Sequence, residues 1–374
     1  MKLSNPLGRL RHWFGDLHHT RVPYPRTGLT IFAVGLPAAL LAGALGIPLP
    51  FILGPLIASL LLSLAGARLS LPNPVRAPML VILGAMIGSS VTPSLLALAA
   101  GWAVPIMGLF GVILASTLAA YWFNRTVGRL DPATAYFSSV PGGLAEMILV
   151  GEARGGNVQT IALSQSARVA FVVLAVPFLL QMVTGVALGT RPPPGVPFAD
   201  LPLASHVGFV LTCIAGATVG GMLGSATGSF LSTMFLSALV HAFGISDFKV
   251  PTELALAAQM IIGLSLGVRF AGWKLKQIGL GLALSVAATL IMLAIAFAGA
   301  LAFEAITGED LAGLFLAYAP GGVAEMSLIA ASLHIDAALV VMHHLVRIFA
   351  ITLFARHAYG HFIERRHALS EQDS

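Results

Sequence analysis

The sequence predicts an all-α polytopic membrane protein. It is expected to contain two homologous repeats of about five transmembrane helices each, inverted relative to one another, with a Pro-Gly-Gly re-entrant or broken helix in each repeat. Three observations lead there. Hydrophobic residues make up 57% of the 374-residue chain and charged residues only 9%. A soluble domain carries about 25% charge, so this chain lacks the polar surface to be water-soluble and reads as an integral membrane protein. The heptapeptide Pro141-Gly142-Gly143-Leu144-Ala145-Glu146-Met147 returns as Pro320-Gly321-Gly322-Val323-Ala324-Glu325-Met326, a shift of 179 residues. The basic residues, finally, distribute as the positive-inside rule requires if the halves are inverted.

The repeat extends beyond the heptapeptide. At the same shift Arg168 falls on Arg347, Asp131 on Asp310, Gly84 on Gly263 and Gly88 on Gly267; Gly46 and Gly66 fall on Gly224 and Gly244 at a shift of 178. Residues 1–27 are polar and basic, lack the apolar core of a signal peptide, and suit either a short amphipathic helix on the cytoplasmic membrane surface or a plain flexible tail. Repeat 1 spans 28–190, with apolar segments at about 28–46, 49–66, 77–95, 101–122 and 157–187. The Pro-rich stretch 191–202 is the linker. Repeat 2 spans 203–360, with segments at about 204–222, 226–244, 254–271, 277–303 and 337–358, and residues 361–374 form a cytoplasmic tail. Five spans per half invert the second half; six, with the Pro-Gly-Gly segments crossing fully, make the halves parallel. With five, 16 of the 20 Lys and Arg lie in the cytoplasm and only Arg191 and Lys249 outside; with six the count is 14 against 4. Inversion is favoured, with both termini cytoplasmic.

Several function classes fall away. The formal charge of +5 resides mostly at the ends and in short loops, and no DNA-reading element is visible. Cys213 is the single cysteine; alone it forms no internal disulfide or thiolate cluster and reads as a small apolar residue. His334, Asp336, His343 and His344 are close in sequence, but adjacent His343 and His344 point to different helix faces and the first half has no matching histidines. No metal, cofactor or enzymatic activity is expected.

The chemistry is expected at the repeated motif. Proline suits the first turn of a helix, paired glycines allow close backbone approach and irregular dihedrals, and the following residues can start a half-helix whose free N–H groups favour an anion or carboxylate. Broken helices of this kind line midplane sites of inverted-repeat transporters. Glu146 and Glu325 are the candidates for proton or cation coupling, because a membrane-embedded charge costs about 2.5–3.5 kcal/mol and normally has a partner or a wet cavity. Arg168 and Arg347 are their expected partners, or hold an anionic substrate through paired hydrogen bonds. Ser164, Gln165 and Ser166 match His343, His344 and Leu345, so the site is expected to be asymmetric. The Gly84/Gly88 and Gly263/Gly267 pairs suit tight helix packing. The expected binding set is Pro141, Gly142, Gly143, Glu146, Gln165 and Arg168, with Pro320, Gly321, Gly322, Glu325, His344 and Arg347.

The double Pro-Gly-Gly-x-Ala-Glu-Met motif, with Gly-x-x-x-Gly upstream and Arg downstream, resembles the AbrB-duplication membrane protein family over about residues 28–358. The resemblance implies an AbrB family transporter, a membrane regulator of gene expression or an ammonia monooxygenase-like protein. It supplies no established catalytic residues. A monooxygenase needs a redox metal or an organic cofactor, and a direct regulator needs a DNA-reading element. The expectation is therefore a secondary transporter of a small polar or ionic solute in a bacterial inner membrane, coupled to protons or cations. Its partners would be the bilayer and its solute, without direct nucleic acid contact and with homo-oligomer formation allowed. Regulation through a partner or a metabolite level is the alternative.

Overall fold

The computed structural model describes residues 31–67, 69–90, 99–185, 195–222, 226–273 and 275–359. The expected amphipathic segment 1–27, the tail 361–374 and Arg191 lie outside them. In the first half, Leu36–Ala44 (α1), Pro50–Leu64 (α2) and Asn73–Gly88 (α3) precede the long Ala103–Thr126 (α4), the short Pro132–Ser139 (α5) and Leu144–Ala153 (α6), and the long Val158–Thr184 (α7). In the second, Leu203–Met222 (α8), Ala226–Ala242 (α9) and Thr252–Val268 (α10) precede the long Leu275–Thr307 (α11), the short Leu311–Tyr318 (α12) and Val323–Ser332 (α13), and Ala337–Ala358 (α14). Among the described residues there is no β-strand, and the one isolated bridge joins Val196 to Pro251.

Among the described residues, five helices are long and apolar enough to cross a bilayer: α4, α7, α8, α11 and α14. Only 28–50% of each central window is buried inside the protein. The rest is an apolar surface; Met107, Leu114, Leu118 and Trp122 on α4 are more than half exposed. Such surfaces are stable against lipid and not against water, so the chain is a multi-pass membrane protein. The apolar segments expected near 28–46, 49–66, 77–95, 226–244 and 254–271 form helices shorter than 18 residues.

Local caps place the breaks between helices. Asp131 Oδ1 accepts from Thr134 N and Asp310 Oδ2 from Gly313 N, both at 2.9 Å, starting α5 and α12. Asn157 Oδ1 caps α7 through Thr160 N, and Asp336 Oδ1 caps α14 through Ala338 N and Leu339 N. These are the side chains that favour helix N-termini. The turn before α7 uses Gly155 at φ 78°, and the turn before α14 uses His334 at φ 55°. The second turn thus places a side chain where glycine is the low-cost choice.

Helices from the two halves interleave: α3 packs on α9 and α2 on α10. The glycine pairs sit in these contacts, as tight packing requires. Gly263 and Gly267 face the backbone of α2 at Ile52 and Leu60, while Gly84 and Gly88 face α9 at Phe230 and Met234. Each contact carries a hydroxyl bond across it. Ser59 Oγ donates to Leu264 O at 3.3 Å, and Ser237 Oγ to Ala85 O at 2.8 Å. The main apolar core draws on both halves, with Ile52, Leu53, Leu83 and Ile87 beside Phe230, Phe248 and Phe315; half-buried Cys213 packs against it. The linker is fastened where it is described: Val196 N bonds Val250 O, Thr252 N bonds Val196 O, and Phe198 N donates to the Glu253 carboxylate.

Candidate functional site

Residues 140–143 separate α5 from α6, and residues 319–322 separate α12 from α13. The prolines do not begin the following helices as expected. Each sits at the centre of a tight turn, closed by Gly142 N to Val140 O at 2.9 Å and by Gly321 N to Ala319 O at 2.8 Å. The glycines are not there for unusual dihedrals either, since Gly143 and Gly322 are extended at φ −67° and −84°. Close approach explains them. A Cβ on Gly142 would meet the Met147 side chain and Ile351, and one on Gly321 would meet Met326. The motif's terminal methionine thus folds back on its first glycine.

The glutamates also fold back. Glu146 and Glu325 are the third residues of α6 and α13, whose N-caps are Gly143 and Gly322. Glu325 Oε2 lies against Gly322, and Glu146 Oε2 is 3.7 Å from the position of a Gly143 Cβ. A carboxylate at this helix position complements the free N–H groups and the dipole. The anion that suits each half-helix N-terminus is therefore supplied by the motif itself.

Arg168 and Arg347 do not pair with these glutamates; each instead clasps the C-terminal end of a short helix. From α7, Arg168 Nη1 donates to Val140 O at 3.1 Å, Nη2 to Gln165 Oε1 at 2.7 Å and more weakly to Gly142 O at 3.5 Å. From α14, Arg347 Nη1 donates to Ala319 O at 2.6 Å, and Nη2 bonds Gly321 O and His344 Nδ1. Both arginines are buried, at 4% and 3% exposure. A helix C-terminus is the negative end of its dipole, and carbonyls there lack intrahelical partners. A guanidinium answers both needs.

Gln165 and His344 are chemically different but bond alike. Gln165 Nε2 donates to Phe137 O and Val140 O at 2.7 and 3.0 Å while its oxygen accepts from Arg168. His344 Nε2 donates to Leu316 O at 3.0 Å while Nδ1 accepts from Arg347. A carbonyl only accepts and a guanidinium only donates, so these partners assign a neutral imidazole with its proton on Nε2. The expected asymmetry at this pair is one of atoms and not of bonding. His343 turns away, with Nδ1 bonded to Leu339 O at 2.8 Å, and Asp336 is occupied as the α14 cap.

The asymmetry lies elsewhere. Arg168 Nε crosses between halves to Pro320 O at 3.1 Å. The counterpart atom, Arg347 Nε, is buried without a hydrogen-bond partner. The glutamates also differ in their neighbours. Thr352 Oγ1 on α14 donates to Glu146 Oε2 at 3.0 Å. Arg269 Nη2, just past α10, lies 4.0 Å from Glu325 Oε1. Neither Thr352 nor Arg269 is recognisable as a site residue from the repeat, because the matched positions, Val173 and Ser90, reproduce neither the threonine hydroxyl nor the arginine charge. Arg269 reads in sequence as a topology signal in a cytoplasmic loop.

Comparison with known proteins agrees with the motif. A family model described as "Transition state regulatory protein AbrB" matches residues 51–362. The chain is similar to the "Putative regulator AbrB" of Escherichia coli (strain K12), at 29% identity over 322 residues, covering 86% of this chain and 89% of that relative. It is also similar to the "Uncharacterized protein YhjN" of Bacillus subtilis (strain 168), at 27% identity over 291 residues, covering 72% and 74%. With a match over most of its length, the chain belongs to the AbrB family.

Proposed function

We propose that this protein is a secondary transporter of a small polar or ionic solute, working by alternating access between two inverted repeats in a bacterial inner membrane. The observation that carries this reading is the unequal bonding of two equivalent arginines. Arg168 Nε holds Pro320 O of the other half, while Arg347 Nε is buried and unpaired. Exchanging the roles of the halves would free Arg168 Nε and give Arg347 Nε the Pro141 carbonyl, a second arrangement. Alternating access requires such a pair of states. The Ser59–Leu264 and Ser237–Ala85 bonds, related by the repeat shift, support an interface with internal twofold character.

In this reading the Pro-Gly-Gly turns are the tips of re-entrant segments, Arg168 and Arg347 with Gln165 and His344 hold the tips rigid, and Glu146 and Glu325 carry proton or cation coupling. Counterflow and pH-jump flux in proteoliposomes test it. Glu146→Gln and Glu325→Gln are expected to abolish coupled transport by folded protein, and unchanged coupled flux in the double variant would overturn the assignment. The name of the Escherichia coli relative favours a second reading, a membrane-bound regulator acting through a partner or through the level of a transported metabolite. Co-purification of a stoichiometric soluble regulator, with no flux of any solute, would favour it.

A further inference from the structure

We propose that Arg76, Arg269 and Glu325 form a binding site for a small oxyanion of the carboxylate or phosphate class, in which Glu325 is a built-in competitor for the ligand's place beside Arg269.

Three elements converge on the site. Arg76 is in the first turn of α3, Arg269 caps the C-terminal end of α10, and Glu325 is in the first turn of α13. Helix α3 packs on both α10 and α13, and Gln259 Nε2 on α10 donates to Ser332 Oγ on α13 at 3.2 Å. Arg269 is close enough to feel the charge of both Glu325 and Arg76.

The charges do not balance. Arg269 has the Glu325 carboxylate and the Arg76 guanidinium both acting on it, and that carboxylate is folded back over the N-terminus of its own helix at Gly322. Arg76 adds to the excess, because a cation in the first turn of a helix faces the positive end of its dipole. Its Nε is buried without a hydrogen-bond partner. The Arg269–Glu325 contact is loose at 4.0 Å, with the side chains 21% and 11% exposed. Like charges repel more strongly where water is partly excluded. Guanidinium forks match the planar or tetrahedral oxygens of carboxylate and phosphate. An entering oxyanion would bridge Arg76 and Arg269 and displace Glu325.

This inference deepens the transporter reading by naming the class of solute, and it rests on that reading only for what happens after binding. The test uses full-length protein in phosphatidylcholine nanodiscs, with inorganic phosphate and succinate as probes, read by thermal stabilisation and equilibrium binding. A third arm replaces part of the lipid with phosphatidylglycerol. At least one probe is expected to bind wild type. Arg76→Gln and Arg269→Gln should each weaken binding about tenfold or more, the loss of one charge-assisted hydrogen bond. Glu325→Gln should tighten it by a similar factor, since it removes the competitor and keeps both arginines; this arm decides the matter if an arginine variant does not fold. Stabilisation by phosphatidylglycerol alone, lost in the arginine variants, would retain the oxyanion site and assign it to a lipid headgroup. No binding in any arm, or unchanged binding in Arg269→Gln, would overturn the site. Binding as expected without flux would leave the site standing and remove the transporter reading.

Discussion

Replacing Arg168 by methionine should destabilise the protein by about 3 kcal/mol. The side chain is nearly fully buried and makes three good hydrogen bonds, to Val140 O, Pro320 O and Gln165 Oε1. Methionine has similar bulk but no donor, so Pro320 O and Gln165 Oε1 lose their partner, each at about 1–3 kcal/mol, while Val140 O keeps its bond from Gln165 Nε2. Part of this is recovered. A desolvated guanidinium is removed, and so is its repulsion with neighbouring Arg347, while replacing buried charge by apolar volume often recovers several kcal/mol. Arg168→Lys keeps the charge but cannot reach all three acceptors, and should cost about half as much. The assay is denaturant or thermal unfolding of purified protein in one detergent, with Arg347→Met measured in parallel. Arg168→Met within about 0.5 kcal/mol of wild type would refute the clamp, and would mean that the carbonyls find other donors.

Four other substitutions test the packing and the caps by the same measurement. Gly267→Leu should prevent α10 from seating on α2, because any Cβ there meets Ser59 and the Leu60 backbone; overpacking costs about 1–3 kcal/mol or more, whereas Gly111→Leu, which meets nothing within 4 Å, should be near neutral. His334→Gly should stabilise by up to about 1 kcal/mol by relieving a left-handed residue at φ 55°, while Asp131→Ala, which removes the α5 cap, should cost about 1 kcal/mol.

The repeated heptapeptide, the matched Asp131 and Asp310, and the glycine pairs were legible because each is a local signal: a turn, a cap, a close contact. The structure places all of them at breaks or helix contacts. The partners of the glutamates were not legible. By charge alone Arg168 and Arg347 match Glu146 and Glu325, but helix ends compete for the same donors. The carbonyls after α5 and α12 take the arginines, and the half-helix N-termini take the carboxylates. Gln165 and His344 looked unlike and bond alike, because what matters is one donor and one acceptor in a fixed direction and not the residue type.

The sequence alone determined that the chain lives in a membrane, that it carries one motif twice, and that its helices break around that motif, since burial preference, capping and turn geometry act over a few residues. Tertiary structure alone decided which charge faces which. Arg269 and Glu325 are 56 residues apart in the chain and meet at 4.0 Å in the fold, where α3 packs on both α10 and α13. In a medium of low dielectric, a charge answers to whatever donor or acceptor is nearest in space. That distance is set by helix packing and is not written at either position.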